Sequence, residues 1–168
     1  MLVMLTLAFY RLFRGVDQHL AVLVVIFGGV MPALLYFVNV VSDGGALLLL
    51  RGPAYLPGFT QPQLNALVAF LLRLHNQQNT AAEMLWGAWL FPLGLLVYRS
   101  RFLPRFLGAW LIVNGAAHVV LCITGFLLPH GSGNLFLYFQ RALMAEVALM
   151  LWLVIRGAIP PEPLRSHS

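Results

Sequence analysis

The residues best suited to chemistry in this sequence are ionisable side chains that lie inside apolar segments. They are Glu83, His118, Arg141 and Glu146. A charged side chain within a membrane is costly, so it usually faces the interior of a helix bundle, where it pairs or binds. Three amides lie in similar surroundings: Asn39, Asn114 and Gln140. Together these residues predict a polar pocket inside a bundle.

Six consecutive polar residues, HNQQNT at 75–80, precede one of the apolar segments. In a helix, His75, Asn79 and Glu83 are four residues apart and share one face. This spacing predicts a polar track that descends from the outer surface to Glu83, which we expect to pair with Arg141 because an unpaired carboxylate is costly there. A loop, an interfacial belt and a packing contact remain open interpretations of the cluster.

The charged groups separate into two depths when residues are counted from the outer ends of their segments at about 1.5 Å each. Glu83 and Arg141 come at about 7 Å and about 9 Å, and His118 and Glu146 at about 15 Å and about 16 Å. The upper pair has opposite charges and is expected to join two helices. The lower pair lies near mid-membrane, where Glu146 is a functional candidate and His118 is one hydrogen-bond partner for it.

A metal site is the alternative use of His75, Glu83, His118 and Glu146, because imidazole and carboxylate suit zinc or iron. No spacing signature such as HExxH is present, and the two histidines differ in depth by at least about 15 Å. The sequence also lacks a nucleophile elbow, a phosphate-binding loop and a dinucleotide-binding glycine pattern. We therefore predict no metal and no cofactor, and the motifs do not favour an enzyme.

The composition places these residues in a membrane protein. Only 9% of the 168 residues are charged, against about 25% in soluble domains, and the mean hydropathy is +0.86. The ten basic residues are all arginine, and most lie in connectors between apolar runs, a pattern typical of membrane topology. The sequence therefore predicts an all-α integral membrane protein that contacts lipid and no nucleic acid.

Four apolar segments are long enough to cross a membrane: 20–41, 78–98, 106–128 and 135–155. The first ten residues, MLVMLTLAFY, reach about 15 Å as a helix and form a partial span. We expect kinks at Pro32 and Pro92, and a break at the SDGG sequence of 42–45. The ALLLL that follows is a helix continuation or a re-entrant segment.

The proline- and glycine-poor segment that contains HNQQNT poses a further choice. It either continues as one helix that projects from the bilayer or breaks near the polar cluster. We predict one transmembrane domain at 1–157 and a disordered cytoplasmic tail at 158–168.

The arginines predict orientation. Seven fall at one end of the predicted helices: Arg11, Arg14, Arg99, Arg101, Arg105, Arg156 and Arg165. Arg51 lies in a connector at the other end. Because arginine-rich connectors stay in the cytoplasm, the C-terminus is expected there and HNQQNT outside, in a bacterial inner membrane. Contact with anionic lipid at the cytoplasmic face and self-association into a homo-oligomer are further expectations.

Several pieces of the sequence resemble one family. They are FYRLFRGVDQHLAVL (9–23), RLH ending at His75, EMLWGAWLFPLGLLVYRSRFLPRFLG (83–108) and AEVALMLWLVIRG (145–157). In this order they are similar to an uncharacterised bacterial family of multi-pass membrane proteins, domain-of-unknown-function family 4386. The resemblance implies membrane sequence ahead of the first piece, so we expect the chain to be N-terminally truncated relative to the family.

The same resemblance bears on individual residues. It implies a histidine at 75 and a glutamate at 146, and Glu83 fits one branch of the family. At 118 it implies an aromatic residue, so His118 departs from the pattern. It supplies no activity.

Three classes of function compete at this stage. The first is a structural or accessory membrane protein whose polar groups join helices. The second is a small transporter or ligand-binding protein that uses Glu146. The third is an intramembrane enzyme acting on lipid or quinone. The sequence ranks them in this order.

Overall fold

The computed structural model describes residues 2–51, 56–127 and 144–157, and this part of the chain is helical without strands. Its elements in chain order are α1 (Leu2–Phe13), α2 (Gln18–Val25), a π-helical turn (Ile26–Val30), α3 (Met31–Leu50), α4 (Gln61–Arg99), α5 (Arg105–Leu127) and α6 (Ala145–Arg156). The all-α prediction is confirmed for these ranges.

Within the described part of the chain, three helices are long and apolar enough to cross a membrane: Gln18–Leu50, Gln61–Arg99 and Arg105–Leu127. Their outward faces carry large apolar side chains, such as Phe37 of α3 and Val113 of α5, that are mostly exposed. A continuous apolar exterior is costly in water and favourable against lipid. Of the predicted fourth span, positions 135–143 lie outside the described residues, and α6 covers the rest.

The first long helix differs from its prediction at the SDGG sequence, and it is irregular just before Pro32, where a kink was expected. The SDGG sequence of 42–45 does not break it, and the helix continues to Leu50. ALLLL is therefore a helix continuation. Pro32 is preceded by a π-helical turn, Ile26–Val30, because a proline removes the backbone N–H that the carbonyl of Gly28 would need for an α-helical bond.

The second long helix, α4, is continuous for 39 residues through both the polar cluster and Pro92. Its start is fixed by Pro62 in the first turn and by Gln63, whose Oε1 accepts a hydrogen bond from the Thr60 backbone N–H at 2.8 Å. At 1.5 Å per residue α4 is about 58 Å long, so it extends well beyond a bilayer core of about 30 Å. The helix does not break near the polar cluster, so the alternative with a break is wrong.

Asp17 connects two of the arginine-rich turns. Its Oδ1 accepts a hydrogen bond from the Leu20 backbone N–H at 3.1 Å and caps α2. Its Oδ2 lies 2.9 Å from Nη1 of Arg99, at the end of α4. Phe13 and Phe102 stack nearby with ring centroids 5.8 Å apart. The turns that carry Arg14 and Arg101 thus lie at the same end of the bundle, which agrees with the arginine pattern.

Helices α4 and α5 approach each other through glycines. A Cβ on Gly87 would lie 2.7 Å from the carbonyl oxygen of Gly115, and one on Gly94 would lie 2.8 Å from that of Gly108. Each helix repeats its glycine after seven residues, so both contacts fall on one face. Small residues allow membrane helices to pack backbone against backbone. This contact sets the register that brings the polar groups of α4 and α5 together.

Candidate functional site

The closest polar contact between helices joins Glu83 of α4 to His118 of α5. Oε2 of Glu83 lies 2.5 Å from Nδ1 of His118, and both side chains are largely buried, at 16% and 9% exposure. An ionised carboxylate only accepts, so Nδ1 is the donor in that state. The expected separation of these residues into two depths is therefore wrong. Counting from the end of the apolar segment misplaced His118, because the glycine contacts set the register of α5 against α4.

A second set of polar contacts joins α4 to α3. Nδ2 of Asn39 donates to Oδ1 of Asn79 at 3.0 Å. One turn nearer the N-terminus of α4, Nδ1 of His75 lies 3.0 Å from Oδ1 of Asp43, although the angle falls outside hydrogen-bond geometry. The HNQQNT cluster is therefore helical, and part of it contacts α3.

The predicted polar track is divided between two neighbours. His75 and Asn79 contact α3, whereas Glu83 contacts α5. A helix turns by about 100° per residue, so positions four apart drift by about 40° and positions eight apart by about 80°. That rotation is enough to carry the polar face of α4 from one neighbour to the next. His75 and Asn79, which are four residues apart, therefore contact the same neighbour, whereas Glu83, which is eight residues from His75, contacts a different one.

Glu146 lies away from these pairs, in the first turn of α6. It lines a cavity of about 170 Å³ together with Leu2, Gly28, Pro32, Trp86 and Trp89. Within the described ranges its carboxylate has no salt-bridge or hydrogen-bond partner.

Trp86 is next to both the Glu83–His118 pair and the cavity of Glu146. Its ring meets the imidazole of His118 edge-on, with centroids 6.1 Å apart, and it also lines the cavity of Glu146. His118 is near enough to Glu146 for their charges to interact, but its hydrogen bond goes to Glu83. The alternative in which His118 bonds Glu146 is not the arrangement in this structure.

The remaining polar residues singled out from the sequence are Arg141, Gln140 and Asn114. Arg141 and Gln140 lie outside the described residues, so the Glu83–Arg141 pair stays a prediction. Asn114 is completely buried on α5, and within the described part neither polar atom of its side chain has a hydrogen-bond partner.

Sequence reasoning missed the tryptophans and Asp43 as parts of the candidate site. Asp43 lies in the SDGG sequence, which was expected to break the helix. A signal existed for Trp86 and Trp89: they lie three residues apart, on the helix face that follows Glu83 by one turn.

No group of three or more His, Cys, Asp or Glu side chains suited to a metal ion occurs among residues 2–51, 56–127 and 144–157. The carboxylates lie in separate places, with Asp43 beside α4, Glu83 on His118 and Glu146 in the cavity. The chemistry that these placements favour is charge pairing at Glu83 and recognition of a small ligand at Glu146.

A sequence model of the family described as Domain of unknown function (DUF4386) matches residues 1–157. The chain belongs to the DUF4386 family. It is also similar to an "Uncharacterized protein" of Archaeoglobus fulgidus, with 32% identity over 75 residues, which are 43% of this chain and 41% of that protein. The match thus spans less than half of that relative. No solved structure matches the chain. The DUF4386 resemblance read from the sequence is therefore confirmed, and it assigns no activity.

Proposed function

We propose that this DUF4386 protein binds a small ligand in the cavity beside Glu146, as a ligand-binding or transport protein of the membrane. The observation that carries the proposal is a carboxylate that lines a cavity of about 170 Å³ and has no partner among the described residues. An apolar cavity of about 150 Å³ is large enough for benzene. The cavity therefore suits a ligand of similar size.

The contrast with Glu83 supports this reading. Glu83 lies 2.5 Å from Nδ1 of His118, so its carboxylate already has a hydrogen-bond partner within the protein. Glu146 has a cavity in front of it instead of a side-chain partner. A buried charge is tolerated when something pairs with it, and a ligand is the partner that the cavity admits.

The proposal includes the setting of the chain. We place it in a bacterial inner membrane with four full spans, a partial span at α1, and the C-terminus in the cytoplasm. The arginine-rich turns joined by Asp17 and Arg99 support this orientation. The outer halves of α3 and α4 then project outside, and contact with anionic lipid and self-association remain part of the same proposal.

A structural or accessory role is the second candidate. The closed Glu83–His118 pair and the glycine contacts of α4 and α5 favour it, because both serve helix association without a ligand. It does not explain a carboxylate beside a cavity.

Carbodiimide labelling tests the ligand-binding proposal. Dicyclohexylcarbodiimide is expected to modify Glu146 of the purified full chain, and three compounds of one shape serve as competitors. They are choline, its neutral carbon isostere 3,3-dimethylbutan-1-ol, and the anion 3,3-dimethylbutanoate. Intact-mass and peptide analysis would locate the label, with Glu146→Gln and Glu83→Gln as matched controls.

Labelling that is lost in Glu146→Gln, retained in Glu83→Gln and blocked by at least one competitor is the expected result. If Glu146 stays unmodified, or if none of the three compounds protects it, the ligand-binding proposal is wrong and the structural role takes its place.

A further inference from the structure

We infer that the ligand of the Glu146 cavity is a small organic cation, with an ammonium group held between the carboxylate and the indole rings of Trp86 and Trp89. This inference rests on the proposed function, because it names the class of molecule that the same cavity would bind. Charge, aromatic lining and backbone chemistry each point to it.

The charge of the cavity is the first argument. Among the described residues that line it, Glu146 is the one ionisable side chain, and no arginine or histidine of the described ranges lies within salt-bridge distance of it. Counting from Arg99 to Trp86 places the cavity about 20 Å from the arginine-rich end. At that depth a bound anion would be repelled by the Glu146 carboxylate, whereas a bound cation would be attracted to it.

The two indole rings are the second argument. Trp86 and Trp89 line the cavity together with Glu146. The face of an indole attracts a cation, and tryptophan does so more strongly than other aromatic residues, particularly when water is excluded. Rings of this kind also provide an apolar surface for the methyl groups of a substituted ammonium ion.

The backbone of the π-helical turn is the third argument. Gly28 and Pro32 belong to the same cavity wall. Because residue 32 is a proline, the carbonyl of Gly28 lacks its usual α-helical hydrogen-bond donor, so its oxygen is a candidate acceptor for an ammonium group. Gly28 also allows close packing of Trp89, since a Cβ there would lie 2.6 Å from Cε3 of the indole.

The size of the cavity limits the cation. About 170 Å³ accommodates a substituted ammonium head group but excludes a large multi-ring dye. Its lining is otherwise apolar, from Leu2 and Pro32, and offers few partners for a strongly hydrated metal ion. A small amine or quaternary ammonium ion fits both features.

Titration calorimetry of the detergent-purified full chain tests the inference with choline and 3,3-dimethylbutan-1-ol, which share a shape and differ in charge. Choline is expected to bind at least about tenfold more tightly than the isostere. Glu146→Gln is expected to remove most of this preference. Trp86→Leu is expected to weaken choline binding by about tenfold. Trp110→Leu is the control and should leave choline binding unchanged, because Trp110 does not line the cavity.

Trp86 is the ring to replace, because Trp89 is 7% exposed and packs against Phe9, so its loss would disturb the core. Equal affinity for choline and its isostere, or tighter binding of 3,3-dimethylbutanoate, would overturn the cation inference while the ligand-binding function stands. A Glu146 that none of the three compounds protects from carbodiimide would overturn the ligand-binding function itself, so the two failures are distinguishable.

Discussion

Nδ1 of His118 lies 2.5 Å from Oε2 of Glu83, and this contact joins the middle of α5 to the middle of α4. It lies one turn from the Gly87–Gly115 approach, where the two backbones are close enough to exclude a Cβ. The small residues and the polar pair therefore act on the same interface. The glycines set the distance, and the pair makes this register preferable to one shifted along the helix.

Removing one member of this pair should cost more than removing both. His118→Phe leaves the Glu83 carboxylate buried without its partner, so we expect a loss of about 1.5–3 kcal/mol in the free energy of unfolding. The double variant Glu83→Leu/His118→Phe should recover much of that loss, because neither polar group remains. Unfolding in mixed detergent, followed by circular dichroism, measures all four members of the cycle. A coupling energy near zero would show that the contact does not stabilise the bundle.

The aromatic residue that the family resemblance implies at 118 is relevant to this cycle. If phenylalanine at 118 proves tolerable only when Glu83 is also replaced, the two positions depend on each other. If His118→Phe alone is fully stable, Glu83 has another partner.

The glycine interface gives a second prediction. Gly87→Ala places a Cβ 2.7 Å from the carbonyl oxygen of Gly115, so the helices must separate and stability should fall by about 1–3 kcal/mol. Gly44→Ala is the matched control, because Gly44 lies within α3 and a Cβ there meets nothing within 4 Å. That control should gain about 0.5–1 kcal/mol, since alanine favours a helix over glycine. Equal effects of the two substitutions would argue against close packing at Gly87.

The sequence predicted the helical class and the membrane setting because both depend on composition and on the length of the apolar runs. It also identified α5 almost to the residue, since Pro104 and the apolar run define it locally. It failed at the SDGG sequence of 42–45, where tertiary packing against α4 outweighs the local preference of glycine and serine to end a helix.

The contacts within the candidate site also depend on tertiary packing, so the sequence alone did not predict them. Glu83 and Glu146 could be singled out from their apolar surroundings, but the groups that surround each of them could not be predicted. Partner choice depends on the rotation of α4 and on the register set by Gly87 and Gly115, and both are relations between helices. The cavity at Glu146 depends on a π-helical turn that Pro32 indicates only as an irregularity.

Asp17 has two separable roles, which gives a third prediction. Asp17→Asn keeps an oxygen that can cap α2 but loses the charge that pairs with Arg99, whose side chain is 55% exposed. It should therefore cost less than about 1 kcal/mol, and the cost should shrink as salt is added. Asp17→Ala also loses the cap to the Leu20 N–H and should cost about 1 kcal/mol more. If the two variants are equally stable, the hydrogen bond to Leu20 contributes nothing.

The orientation gives the last prediction. Cys122 is the single cysteine and is buried, so Cys122→Ala provides a background for new cysteines. Gly15→Cys lies in the turn between α1 and α2, and Gly58→Cys lies just before α4; both sites are exposed and open. Because the turn that carries Gly15 is arginine-rich, we expect an impermeant maleimide to label Gly58→Cys on intact bacterial cells and Gly15→Cys only after permeabilisation. The reverse pattern would place Asp17 and Arg99 outside. It would also make the C-terminal end of α3 and the N-terminal end of α4 cytoplasmic. The two labelled positions therefore test the location of both ends of the bundle.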